Sequence, residues 1–132
     1  MKIRILNNSI RLRLSQSEVK DLVEQGTVKA TTRFGVDEAA VFNYQIKASE
    51  EVDLLFANYQ SDVITIFINK NIAQTWAADD AQISLKSEVS VGHDQTLAIL
   101  VEKDFKCLSP TRTEDESDLF PHPKEESIKC WF

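Results

Sequence analysis

The chain has 132 residues and a net charge of −6, and 42% of its residues are hydrophobic. This length fits one domain with a single core, which buries roughly two-thirds of the surface exposed by the unfolded chain. The two cysteines are too few for a disulfide framework, and no apolar run approaches the roughly 20 residues of a membrane-spanning helix. With no signal leader before Lys2, composition predicts a cytoplasmic protein without a membrane segment.

Charge is distributed unevenly along the chain. Residues 1–34 hold seven Lys or Arg and three acids, whereas residues 35–103 hold four and eleven. A nucleic-acid-binding protein is usually basic overall, with a sustained stripe of Lys and Arg. The surplus of acid therefore argues against nucleic acid as a partner.

The first predicted element is a β-hairpin over residues 1–14, MKIRILNNSIRLRL, with Asn7-Asn8 as its two-residue turn. Like charges that face each other across a ladder destabilise a sheet. The cations must therefore be offset by the chain's own carboxylates or by a bound anion, which makes them candidate anion-binding residues. The predicted register stacks them in two pairs on one face, Lys2 opposite Arg13 and Arg4 opposite Arg11.

Periodicity and turn residues predict the elements that follow. Ser15 and Glu18 have the spacing of a capping box, which begins a short helix that ends near Gln25, before Gly26. Alternating patterns then predict strands and a second helix. The strands cover residues 27–34, 39–48, 52–59 and 63–69, the helix ends near Ala78, and a last hairpin covers 82–91 and 96–103.

Hairpin connections dominate this order, which favours antiparallel pairing over βαβ units. A sheet with this many strands tends to curl or close, since open edges invite aggregation. We therefore expect an α+β fold with about eight mostly antiparallel strands, in a strongly curved sheet or a partly closed barrel, and two short helices. The shape is similar to that of tunnel-shaped triphosphate hydrolases, but the Glu-x-Glu-x-Lys strand on which their activity depends is absent.

The end of the chain differs in character. Residues 109–132 contain all three prolines and the densest acidic run, which cannot form a packed core. We expect one domain over residues 1–108 and an irregular acidic tail over 109–132, docked on the body. The candidate counter-charges or metal ligands facing the hairpin cations are Glu102, Asp104, Glu114, Asp115, Glu116 and Asp118.

No motif indicates a catalytic centre, a cofactor or a metal site. Cys107, His122 and Cys130 are residue types that bind zinc, but their spacing is long and irregular, and two unrelated cysteines explain it more simply. A Cys-His pair of Cys107 with His93 or His122 stays open. All three glycines occupy caps or turns, which leaves no phosphate-cradling loop.

Three strings of the sequence carry a family resemblance. MKIRI at the start with NSIRLRLS and SEV, LAILVEKDFKCL at residues 97–108, and EDESDLFPHP at 114–123 resemble short bacterial proteins known only as a domain of unknown function. The resemblance covers most of the chain. It implies a small bacterial cytoplasmic protein with no established activity, and it transfers no catalytic residue.

These observations favour an uncharacterised, non-enzymatic binding or structural domain. The first alternative is a binder or hydrolase of a phosphorylated or polycarboxylate small molecule at the arginine-rich sheet face. The second is a protein-interaction module that uses the apolar C-terminal end, Trp131 and Phe132. A small anion and a second copy of the chain are the partners left open.

Overall fold

The computed structural model describes residues 1–105 and 117–121. Within them, the element order ββαββ occurs twice in succession. The first unit contains β1 (Lys2–Leu6), β2 (Ser9–Leu14), α1 (Gln16–Gln25), β3 (Thr27–Arg33) and β4 (Val41–Ser49). The second contains β5 (Leu55–Gln60), β6 (Val63–Asn69), α2 (Lys70–Ala78), β7 (Ser84–Gly92) and β8 (Gln95–Lys103).

The strands form two mixed four-stranded sheets. Sheet A has the order β1-β2-β8-β7, and sheet B has the order β3-β4-β6-β5. β2 pairs parallel with β8, and β4 pairs parallel with β6, whereas the other four pairings are antiparallel. The α+β class with eight strands and two helices is confirmed for the described residues.

The predicted strongly curved sheet or partly closed barrel is wrong. Among the strands that the structure describes, each sheet keeps two edges, β1 and β7 in sheet A and β3 and β5 in sheet B. Neither sheet needs to close into a barrel to bury its apolar face, because the apolar faces of the two sheets cover each other. The parallel pairing of β2 with β8 joins the first hairpin to the last in sheet A and leaves the four strands between them to form sheet B, which hairpin signals alone do not reveal.

The hairpin register predicted from Asn7-Asn8 is confirmed residue by residue, from Lys2 opposite Arg13 to Leu6 opposite Ser9. Asn7 has a φ of 49°, which asparagine tolerates better than most residues. Because side chains alternate across a strand, this register also fixes which residues of the hairpin face the core.

One hydrophobic core lies between the sheets and the helices. Alternate residues of β2, β6 and β8 supply most of it, together with one face of each helix. Trp76 of α2 is fully buried, and its indole Nε1 donates to the Ile83 carbonyl at 3.2 Å. Neither helix in the described residues is long and apolar enough to span a bilayer.

Helix α1 begins as predicted, with a capping box formed by Ser15 and Glu18. Glu18 also pairs with the amino group of Met1. The Met1 carbonyl accepts a hydrogen bond from the Tyr44 hydroxyl at 2.6 Å, and burial, followed by the charge of Glu18, raises the pKa of Tyr44. These contacts fix the beginning of β1 against α1 and sheet B.

The two ends of this sandwich differ. All four connections within hairpins lie at one end, here called the turn end. The parallel pairs align the starts of β2 with β8 and of β4 with β6, and residues near the starts of all four strands line one cleft. The helices begin where β2 and β6 finish, at the opposite end. The connections of the turn end are 7–8, 34–40, 61–62 and 93–94.

Candidate functional site

The four predicted cations lie on the exterior of sheet A, on the face directed away from the core. Leu12 of β2 is 1% exposed, whereas its neighbours Arg11 and Arg13 project from the other side of the strand. Arg4 and Lys2 of β1 stand opposite these two arginines. We call these four residues the cationic face.

Two of the candidate carboxylates contact the cationic face. Glu102 of β8 accepts a hydrogen bond from Nε of Arg13 at 2.6 Å, and the same carboxylate oxygen lies 3.5 Å from Nε of Arg11. Asp104, whose side chain is 3% exposed, lies 2.8 Å from Nζ of Lys2. The parallel pairing of β2 with β8 brings Glu102 beside Arg13, and no sequence signal indicates that pairing.

The surroundings of Arg11 lower the pKa of its guanidinium. Partial burial lowers its pKa, the charge of Glu102 opposes that change, and the charges of Arg13 and Arg4 add to it. An arginine stays protonated under all ordinary conditions. The lowered pKa therefore reflects first the cost of removing the guanidinium from water and then the cost of holding it near other cations, and Glu102 partly offsets both.

The other candidate residues are divided between described and undescribed parts of the chain. Asp118 lies at the beginning of α1, where its carboxylate accepts a hydrogen bond from the Ser17 hydroxyl. His93 occupies the β7–β8 turn with a φ of 55°. The remaining candidates lie outside the described residues, namely Cys107, Glu114, Asp115, Glu116, His122 and Cys130.

Residues 117–121 contact the body at the beginning of α1. The Asp118 carboxylate accepts a hydrogen bond from the Ser17 hydroxyl at 2.5 Å, and the backbone N–H of Gln16 donates to the Asp118 backbone carbonyl at 3.0 Å. A carboxylate at a helix N-terminus accepts hydrogen bonds from backbone N–H groups that have no acceptor within the helix, and its charge is favourable beside the positive end of the helix dipole. Leu119 is 6% exposed, and Phe120 forms a parallel bridge with Phe105.

The contact between Asp118 and α1 is expected to weaken in acid. The Ser17 hydroxyl, followed by Ser15, holds the pKa of Asp118 below its usual value of 3.8. A depressed pKa stabilises the folded state above the unfolded-state value, and that stabilisation is lost as pH falls through the folded-state pKa. NMR titration of the Asp118 carboxyl should give the depressed midpoint, and Asp118→Asn should remove this titration. A midpoint at or above the usual value would contradict the contact.

Lys103, at the end of β8, is a buried cation that sequence analysis did not identify. Its side chain is among the fully buried ones, and its ammonium Nζ donates to the Asp79 carbonyl at the end of α2 at 2.8 Å. The ammonium lies 5.5 Å from the Trp76 ring centroid and 5.4 Å from that of Phe120. Burial lowers the pKa of Lys103, and the nearby charges of Asp80 and Asp79 oppose this. Lys103 therefore joins α2, sheet A and residues 117–121 through one ammonium group.

An apolar cleft between the sheets opens at the turn end, and sequence analysis also missed it. Its volume is about 220 Å³, and its polar lining comes mainly from Asn58 and Tyr59 of β5. The cleft arises because the inward apolar rows of both sheets continue to their ends, where neither α1 nor α2 covers them. The other lining residues come from both sheets, and they are Ile10, Phe42, Ala57, Ile64 and Leu97.

Large apolar side chains are also exposed at the turn end. Phe34 is 75% exposed, and Val36, in the same connection, is fully exposed. Other exposed apolar side chains at or near the connections are Ile5, Leu6, Tyr59 and Val91. Scattered exposed apolar residues are normal on protein surfaces, but six of them gathered at one end are typical of an interaction surface. In sequence they are far apart, so only the topology reveals that they lie together.

A second hollow of about 390 Å³ lies between the two helices. Val19 and Val23 of α1 and Ala77 of α2 line it, together with charged residues of α1, and Phe120 borders it. Charged and polar side chains of both helices also line this groove, so it is less apolar than the cleft at the turn end.

Within residues 1–105 and 117–121, no three His, Cys, Asp or Glu side chains gather as a metal site would require. A family model described as a family of unknown function (DUF7009) matches residues 1–124. No curated protein and no solved structure matches the chain.

Proposed function

Because the chain belongs to the family of unknown function DUF7009, which supplies no activity, we propose from its geometry that it is a non-enzymatic binding domain whose contact surface is the turn end. The apolar cleft with its surrounding exposed side chains is the observation that supports this function. Burial of exposed apolar area is the main source of affinity in most protein associations. The opposite end of the sandwich has its apolar side chains already covered by α1 and α2.

The alternative of a small-anion site on the cationic face is a weaker proposal. Glu102 and Asp104 already lie within ion-pair distance of Lys2, Arg11 and Arg13. Structural ion-pair networks of this kind are commoner than anion sites. The proposal that the C-terminal apolar end binds a partner concerns residues that the structure does not describe. The homodimer and the cytoplasmic location also stay predictions.

Binding of a neutral apolar probe tests the proposed surface. We expect n-hexanol to shift the amide NMR signals of Ile10, Phe42 and Leu97 in a saturable manner, because the apolar cleft removes its alkyl chain from water. Signals of α1 and α2 should stay unchanged. Absence of any saturable shift at the turn end would overturn the proposed function.

Filling the cleft supplies the matched variant. Ala57 lies on the inward side of β5, opposite Ile66, and lines the cleft. Ala57→Leu is expected to abolish the hexanol shifts and to change the free energy of unfolding by about +0.5 to +1 kcal/mol, since a well-placed apolar side chain fills open space. Ala57→Val serves if leucine proves too large for the space. Unchanged hexanol binding in both variants would place the probe elsewhere.

A further inference from the structure

We infer that the turn end binds a protein segment that carries both apolar and positively charged side chains, an inference that rests on the proposed function. The four connections of the turn end contain four carboxylates, those of Asp37, Glu38, Asp62 and Asp94, and no Lys or Arg. Arg33, next to the second connection, directs its guanidinium to the carbonyls of Gly35 and Asp37 within that same connection.

The size of the cleft indicates the kind of occupant. Pockets for drug-sized molecules commonly measure about 300–1,000 Å³. The cleft measures about 220 Å³, and the exposed Phe34 and Val36 lie outside it. This arrangement suits one or two anchoring apolar side chains that enter the cleft, while neighbouring residues of the same partner cover the surrounding apolar surface.

The charge of the turn end argues against the other occupants. A second copy would bring one set of four carboxylates against another, and like charges across an interface weaken association. An anionic membrane surface or a nucleic acid would be repelled for the same reason. Lys and Arg around apolar anchors complement both features of this surface.

Two synthetic peptides test the inference. Both are 14-residue amphipathic helices with the same leucine pattern, and the polar positions are all lysine in one and all glutamate in the other. Titrated into the full-length chain, the lysine peptide is expected to shift amide signals at the turn end and to bind at least about tenfold more tightly than the glutamate peptide. Raising the salt to 1 M, where the Debye length is about 3 Å, should remove most of that difference.

Matched variants separate charge from apolar contact. Phe34→Ser with Val36→Ser should abolish binding of the lysine peptide without unfolding the protein, since both side chains are exposed. Glu38→Gln with Asp62→Asn should weaken it about fivefold. The control pair, Glu50→Gln with Glu51→Gln, removes two exposed carboxylates from the connection at the helix end and should leave binding unchanged.

The outcomes distinguish this inference from the proposed function. Equal binding of both peptides at the turn end would overturn the cationic partner and leave a binding surface. Binding of hexanol but of neither peptide would overturn the inference alone, in favour of a small apolar ligand. Peptide shifts located between α1 and α2 would overturn it as well, and failure of hexanol and both peptides would overturn both proposals.

Discussion

Trp76→Ala is expected to lower the free energy of unfolding by about 3–5 kcal/mol, which is a large part of the stability of a domain of this size. The indole is fully buried between α2 and the sheets, so its removal leaves a large cavity in the only core of the described residues. The variant also removes the ring beneath the Lys103 ammonium and the hydrogen bond to the Ile83 carbonyl.

Two further variants separate these contributions in urea denaturation. Trp76→Phe keeps most of the buried area but removes the indole donor to the Ile83 carbonyl. That carbonyl still accepts a hydrogen bond from the Lys103 backbone N–H at 3.1 Å, so the loss of the indole bond should cost about 0.5–1.5 kcal/mol. Phe34→Ala removes an aromatic ring that is 75% exposed and should change stability by no more than about 0.5 kcal/mol. A loss of similar size in Trp76→Ala and Phe34→Ala would contradict the placement of the core.

Glu102→Ala is expected to cost about 2–3 kcal/mol. Its carboxylate lies within ion-pair distance of Nε of both Arg13 and Arg11, whose side chains are only 14% and 22% exposed. Removing one partner of a partly buried pair leaves cations that have lost hydration, and here they also repel one another. Glu88→Ala, on an exposed position of β7, removes the same charge and should have an effect within about 0.5 kcal/mol.

Phosphate or citrate then distinguishes a structural network from an anion site. An anion that binds only the folded protein stabilises it by about 2.7 kcal/mol at 100 times its dissociation constant. If Glu102 is the native counter-charge, thermal melts should show a clear anion-induced shift in Glu102→Ala and a small one in the unmodified chain. A large shift in the unmodified chain would instead support an anion site on the cationic face.

Local structure could be predicted from the sequence because its signals lie within a few residues of one another. The Asn7-Asn8 turn determines the first hairpin register, and the Ser15 and Glu18 spacing determines where α1 begins. The start of β5 was predicted three residues too early, at Val52. The Val52 and Leu54 carbonyls instead accept hydrogen bonds from Asn69 as the chain enters the sheet.

Long-range pairing could not be predicted in the same way. The parallel partner of β2 lies almost 90 residues away in β8, and nothing in the composition of either strand encodes that choice. The counter-charge role of Glu102 depends on this pairing, and so does the gathering of apolar residues at the turn end. Lys103 was missed because a lysine at a strand end is ordinarily exposed, and only the proximity of α2 and Phe120 buries it.

The division of the two ββαββ units between the sheets determines when each sheet can be completed during synthesis. Sheet B is built from consecutive strands and is complete once residue 69 has emerged. Sheet A consists of the first hairpin and the last hairpin. Its central β2–β8 pairing can therefore form only after β8 has been synthesised. The β1–β2 hairpin, which is made first, therefore gains its neighbouring strand in sheet A only when the domain is almost fully translated.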